Sequence, residues 1–279
     1  MKIRTFLLAV AAVAVAACGP KTAEEKVQAY EAAHEAMVSE FQVMMDSLSG
    51  DQEKAQAYYE EFIEDYKEFN LNAAKKNPDN EVALQVLMNL YGLIDDEQMD
   101  AIISKMPQEM LENENVAYIK KGLDARKVTA EGTMFQDFTV EHVYGYDRSI
   151  DPQPLKQEVK FSDYVGKGTY VLVDFWSPWC GPCRREMPNI KAVYEQYKGE
   201  KFDVISIAVW ERQPVEVTIE TAEKLGMDWI QINNAQREPA ALYGVESIPH
   251  IILFGPDGTI LKRGFHGAEI AEVVGSYLN

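Results

Sequence analysis

The sequence predicts an α/β sandwich, a mixed sheet flanked by helices, preceded by an all-α N-terminal helical region. Three observations carry this reading. From about Thr22 to Arg126, apolar residues recur at steps of three and four, the period of a helix face. Beyond Val128, nearly continuous apolar runs such as "TYVLVDFW" and "KFDVISIAVW" alternate with amphipathic stretches. Such runs are strands buried on both faces, as in a parallel sheet covered by helices. A chain of 279 residues also has room for about two domains of ordinary size.

The chain opens "MKIRTFLLAVAAVAVAACGP". Lys2 and Arg4 precede an apolar run from Phe6 to Ala17, which suits an export signal and is too short to cross a bilayer as a helix. It closes on Val15-Ala16-Ala17-Cys18. Small residues before a cysteine resemble the lipobox of bacterial lipoproteins, where cleavage leaves that cysteine as a lipid-bearing N-terminus. Residues 1–17 are thus expected to be a lipoprotein signal peptide, with Cys18 lipidated. An ordinary signal peptide containing a cysteine is the other reading. Lipidation would anchor the mature protein outside the cytoplasm, in the periplasm. Gly19, where an acidic residue would otherwise follow Cys18, resembles the sorting pattern of the outer membrane.

Residues 18–130 are expected to form the helical domain. Val27, Tyr30, His34, Met37, Phe41, Met44 and Leu48 make one stripe of a first helix. Ser49-Gly50-Asp51 ends it and starts a second, striped by Ala55, Tyr58, Phe62, Tyr66, Phe69 and Ala73. The first stripe is only as long as the minimum for a coiled coil, so packing as a hairpin onto the second helix is expected over a dimer seam. His34 is alone on its stripe and reads as a core or edge residue. "KNPDNE" breaks the chain before a third helix, "EVALQVLMNLYGLI". Asp95 is placed to cap a short fourth over Glu97 to Lys105, and a last helix is expected from about Val116 to Arg126.

Residues 131–279 carry the sandwich. "MFQDFTVEHVYGY" has strand character, and "DRSIDPQPLKQE" reads as a polar loop. The two buried strands follow, separated by the helix "CGPCRREMPNIKAVYEQYK". Then come the helix "PVEVTIETAEKLG", the short strand "DWIQI" and the short helix "REPAALYG". "PHIILF" and "TILKRGF" flank the turn "GPDG" as a hairpin, and "GAEIAEVVGSYL" closes as a helix.

The net charge of −18 argues against nucleic acid as a partner, because a phosphate-tracking surface needs clustered Lys and Arg. Residues 19–126 hold 10 basic and 23 acidic side chains, against 15 and 22 in residues 127–279. The excess therefore lies mostly on the helices, where it reads as solvated faces.

The chemistry is concentrated in "DFWSPWCGPCRREMP", residues 174–188. Its cysteines could be a structural bridge, half of a metal site or a redox couple. The chain has three cysteines, and lipidation of Cys18 would leave Cys180 and Cys183 alone. That is no disulfide scaffold, and no second ligand pair completes a zinc site, so no metal is expected. Cys180 follows a buried strand and opens a helix, whose free N–H groups and dipole favour thiolate, the attacking species. Cys180 is thus the expected nucleophile, with Cys183 one turn further in as the resolving thiol. Pro182 falls in the first turn, where a missing N–H costs nothing.

"VLVDFWSPWCGPC" resembles the thioredoxin active-site strand and turn. The continuation "RREMP", together with the lipobox, resembles the TlpA/ResA-like branch, membrane-tethered thiol-disulfide oxidoreductases of the bacterial envelope. The resemblance covers roughly residues 132–279 and implies a thioredoxin-like sandwich there. It implies that Asp174 is a buried acid beneath the cysteines, able to exchange a proton with Cys183. Glu186 would be an acidic residue facing the pair, its other reading being an exposed helix glutamate. Pro249 would be a cis-proline against the cysteines, letting the Ile248 backbone pair with an extended substrate. Trp179 would form the partner-facing rim, and Trp176 either frames the site or packs in the core. The departures are Pro178, the long segment Val143 to Glu158, which either shapes the substrate surface or is a tolerated loop insertion, and His250, expected to point away.

Gly181-Pro182 is the thioredoxin dipeptide, associated with a couple near −270 mV against about −120 mV for the oxidant DsbA. The expected activity is therefore a reductase. By resemblance, electrons come from a membrane thiol carrier of the DsbD/CcdA type and go to disulfide-containing exported proteins, apocytochrome c among them. No cofactor is implied. Two rivals stand beside this: a redox-sensing or adaptor lipoprotein whose helical domain binds a partner, and a thiol peroxidase. Peroxidatic cysteines sit in Thr-x-x-Cys, whereas Ser177 precedes Cys180 here.

Overall fold

A computed structural model describes residues 22–147, 149 and 152–278. The expected signal peptide and Cys18 lie outside the described residues. The chain divides into two compact units after Lys120.

In the first unit, Thr22 caps α1 (Ala23–Ser47) in a reciprocal box with Glu25, and Asp51 caps α2 (Gln52–Lys76). The two pack within one chain, as their stripes predict. Phe41 stacks on Phe62 with ring centroids 4.0 Å apart, and Tyr30 stacks on Phe69. His34 joins this seam: its Nε2 lies 2.9 Å from Tyr66 Oη and 3.3 Å from Asn89 Nδ2. The fully buried Asn70 accepts from Tyr30 Oη at 2.6 Å, so the polar atoms inside the seam are paired. α3 (Glu81–Leu90) is sunk into the unit along Val82, Val86, Leu87 and Leu90. Asp95 caps α4 (Asp96–Ile103), a single turn α5 (Gln108–Leu111) follows, and α6 (Glu114–Val128) carries the division between the units.

The second unit opens with a correction. The strand character read before the polar loop holds as β1 (Thr139–Asp147), but half of the segment read as that loop is β2 (Gln153–Lys160), paired antiparallel with β1. Only Val159 of β2 is buried, so no apolar alternation marks the strand. Pro154 is tolerated because β2 pairs on one side only.

The main sheet has the order β5-β4-β3-β6-β7, built from β3 (Tyr170–Trp176), β4 (Phe202–Ala208), β5 (Ile230–Ile232), β6 (His250–Phe254) and β7 (Ile260–Arg263). β3, β4 and β5 are parallel, and β6 and β7 antiparallel, so the sheet is mixed. Helices α7 (Gly181–Tyr197), α8 (Val215–Leu225), α9 (Glu238–Leu242) and α10 (Glu269–Leu278) complete the unit. The sheet's two faces carry separate cores. One is aromatic, built around Phe161, Phe175, Tyr243 and Phe254. The other holds Leu172, Trp176, Met187 and Ile251 together with both cysteines of the motif.

Tyr243 ties the chain before β1 to this frame. Its fully buried ring sits among Phe138, Phe161 and Phe254, and its hydroxyl donates to Gln136 O at 2.7 Å and accepts from Gln136 N at 3.0 Å. Tyr243→Phe removes one partner of two backbone groups. It is expected to lower the unfolding free energy by about 1–3 kcal/mol, measured by denaturant titration.

Candidate active site

Strand alternation aims the site. Leu172, Asp174 and Trp176 share one face of β3, while Val173 and Phe175 point to the other. The chain then passes Ser177-Pro178-Trp179 and turns into α7, with Cys180 as its N-cap in extended backbone. The Cys183 N–H points at Cys180 Sγ at 3.1 Å, so the helix end supplies a directed donor to that sulfur. Cys180 and Cys183 form a disulfide. Cys180 is 3% exposed and Cys183 0%, so Cys180 is the less deeply buried of the pair.

The Ile248–Pro249 bond is cis, and Ile248 O lies 3.6 Å from Cys180 Sγ. Within the disulfide that sulfur carries no hydrogen, so this is a packing contact. In the reduced state the same oxygen is within reach of the thiol proton.

Asp174 is fully buried. Its Oδ2 accepts from Ser206 Oγ at 3.2 Å, and Ser206 Oγ accepts from Trp229 Nε1 at 2.9 Å. Asp174 Oδ1 has no partner among the described residues. Burial pushes its carboxyl up to about 7. The Glu186 charge adds to the rise and the Ser206 hydroxyl opposes it. Glu186 itself is 8% exposed and is no solvated helix residue. Its Oε1 accepts from Gly267 N at 2.9 Å and Asn189 Nδ2 at 2.7 Å.

Trp179 stands at the edge. Its Nε1 donates to Trp210 O at 3.0 Å, and the Arg212 guanidinium lies 4.0 Å from its ring centroid. Trp210 (φ 53°), Asn234 (φ 66°) and Gln236 (φ 58°) all adopt left-handed backbone, and Trp210 N donates to Gln236 O. Such non-glycine residues cost on the order of 1–3 kcal/mol each and cluster at functional sites. Trp176 is fully buried core. His250 pairs with Phe175 across the sheet and so points away from the cysteines. Its burial, and Arg263 3.3 Å away, push its imidazole down to about 3.

The structure therefore gathers Asp174, Trp179, Cys180, Cys183, Glu186, Ile248 and Pro249 at one end of β3 and α7. It adds Ser206, Trp229, Trp210, Arg212 and Gly267, which sequence reasoning missed. Ser206 had a signal, as a lone hydroxyl in the apolar run "VISIAV". The other four had none, because they reach the site only through the fold.

The AhpC/TSA family model matches residues 132–263. Thioredoxin 1 of Nostoc is 34% identical over 105 residues, covering 38% of this chain and 70% of that protein. The chain belongs to the thioredoxin-fold thiol-disulfide oxidoreductases. This oxidoreductase is also similar to the thiol-disulfide oxidoreductase ResA of Geobacillus thermodenitrificans, 28% identical over 137 residues, which covers 49% of this chain and 70% of that one. The solved thioredoxin domain of a thiol-disulfide oxidoreductase from Bacteroides vulgatus is 26% identical, with a TM-score of 0.43, covering 54% of this chain and 99% of that domain.

The raised Asp174 carboxyl has a stability sign. In the folded oxidoreductase it keeps a proton that the unfolded chain has already lost, so stability falls as pH rises from about 4 to about 7. Asp174→Asn removes that loss. The variant is expected to gain about 2–4 kcal/mol at pH 8 and almost nothing at pH 4, read from denaturant unfolding of the oxidised protein. Equal effects at both pH values would show that the carboxyl is not raised.

Proposed function

We propose that this oxidoreductase is an envelope protein-disulfide reductase that cycles Cys180 and Cys183 between dithiol and disulfide. The observation that carries the reading is the cysteine pair at the N-terminus of α7, packed on the face of β3 that bears a buried carboxyl titrating near neutrality.

In the proposed cycle the Cys180 thiolate attacks one sulfur of a substrate disulfide. The substrate S–S bond breaks, its other sulfur leaves as thiolate, and a mixed disulfide forms on Cys180. Asp174 takes the Cys183 proton, and the Cys183 sulfur attacks Cys180. The mixed disulfide breaks, the Cys180–Cys183 bond forms, and the second substrate sulfur leaves. Two electrons have passed to the substrate, and two protons end on its thiols. Glu186 acts through its charge, which makes Asp174 a stronger base. The Ile248 backbone and Pro249 receive an extended substrate segment, with Trp179 as the rim.

The disulfide state must be re-reduced by a dithiol, for which a membrane carrier of the DsbD/CcdA type is proposed. Substrates are exported proteins with disulfides, apocytochrome c among them. A lipid on Cys18 would hold the enzyme in the periplasm at the outer membrane. Among the described residues no helix is long and apolar enough to cross a bilayer. Against the peroxidase reading, the Ser177 hydroxyl donates to Val209 O and is thus committed away from Cys180.

Equilibration with a dithiothreitol redox buffer is expected to give a couple near −270 mV, and a value near −120 mV would overturn the reductase direction. Cys183→Ser in cells is expected to accumulate exported proteins disulfide-linked to Cys180. A trapping variant that gathers none, while the Cys180 thiol remains reactive, would refute protein disulfides as the substrate.

A further inference from the structure

Beneath Asp174 lies a short chain of polar atoms that the exchange reaction does not use directly. β3 and β4 run parallel, and their register sets Asp174 opposite Ser206. Both are fully buried, and Ser206 lies between Ile205 and Ile207, which are equally buried. Trp229 reaches the same hydroxyl from just before β5. Its ring is anchored edge-on to Tyr194 of α7 at 5.4 Å.

The chemistry of these groups fixes the direction of each bond. An indole N–H donates and cannot accept. Ser206 Oγ must therefore accept from Trp229, at 2.9 Å. That leaves the single hydroxyl proton free to point at Asp174 Oδ2, 3.2 Å away. Asp174 Oδ1 has no partner among the described residues, so the carboxyl has no second donor there to compensate if the first is lost. From α7 the titratable groups on this face are the two cysteines, Tyr194, Tyr197 and Glu186, and the Glu186 charge repels the carboxylate. β6 presents apolar Ile251 opposite Asp174.

We propose that Ser206 and Trp229 are positioning residues for thiol-disulfide exchange: Trp229 orients the Ser206 hydroxyl, and that hydroxyl is the directed donor that makes the buried Asp174 carboxylate available as the base for Cys183. This rests on the role given to Asp174 above. A donor to the ionised form favours ionisation, so its loss leaves Asp174 protonated to higher pH. A purely structural serine would change stability and leave the pH dependence of exchange where it was.

The reaction of the reduced full-length protein with dithiobis-nitrobenzoate separates the steps. The first thionitrobenzoate released reports Cys180 attack, and the second reports resolution by Cys183. In stopped flow, Ser206→Ala is expected to move the rising limb of the second step up by about one pH unit. That is roughly a tenfold loss at pH 6 with little change at pH 9. Ser206→Thr, which keeps the hydroxyl, should return the limb to its wild-type position. Trp229→Phe leaves the hydroxyl free to turn and should shift the limb in the same direction by less. Carbon-13 NMR of the Asp174 carboxyl should show matching movements of its titration. Should Ser206→Ala destabilise the fold, Trp229→Phe and the threonine variant carry the same test.

Unmoved profiles and an unmoved Asp174 titration in Ser206→Ala and Trp229→Phe, beside a strong effect of Asp174→Asn on the second step, would overturn this proposal alone. A second step indifferent to Asp174→Asn would instead overturn Asp174 as the base, and the positioning role with it. The NMR titration would then still report whether the hydroxyl donates to the carboxyl.

Discussion

The Cys183 N–H directed at Cys180 Sγ is the contact on which the rest of this site depends. It exists because a strand buried on both faces ends at Trp176 and a helix begins a few residues later, with Cys180 as the N-cap whose sulfur meets a first-turn N–H. Those groups, with the helix dipole, make the sulfur at the N-cap the better anion of the pair. Burial then separates the two cysteines: the less deeply buried one is the one the helix end stabilises. Position alone therefore distinguishes the two sulfurs, although both are cysteines on one turn.

The buried carboxyl completes that asymmetry and carries its cost. A charged Asp174 in this core is disfavoured by desolvation, and Glu186 makes it more so. Left bare, such a group would stay protonated and could not accept a proton from Cys183. One hydroxyl donor offsets part of the penalty and leaves the carboxyl titrating near neutrality, the range in which a general base is most effective. Glu186 is held on a different tether, by Gly267 N and Asn189, so the two carboxyls share a face of the sheet without sharing a proton donor.

Most of the fold was legible because each element carries its own signal. "TYVLVDFW" is almost wholly apolar because both faces of β3 are buried, and Thr22, Asp51 and Asp95 cap the helices that their side chains announce. β2 was illegible for the converse reason: a strand solvated on nearly every residue has no hydrophobic period, and Pro154, with Pro152 just before it, reads as loop. The cysteines and Asp174 fall within one contiguous motif, so a sequence resemblance can reach them. Glu186 was ambiguous, since its burial depends on the loop before α10 closing over it. Trp229 and Arg212 were invisible, because no local pattern says which distant ring or guanidinium will meet a site.

The sheet also divides labour between its faces. β6 sends Ile251 toward the cysteine side and His250 toward the aromatic side. On that second side Arg263 Nη2 donates to Tyr243 O at 2.7 Å and lies 3.3 Å from His250 Nε2, while its Nη1 donates to Thr129 O at 2.7 Å. One planar guanidinium thus joins the start of β6, the end of α9 and the chain leaving α6. His250 stays neutral there, pushed down by burial and by Arg263, so it does not repel the cation beside it near neutral pH. The start of β6 is thereby braced from the face opposite the chemistry. Ile248, whose carbonyl lies against Cys180, stands two residues before His250 and packs against the cores on both faces of the sheet.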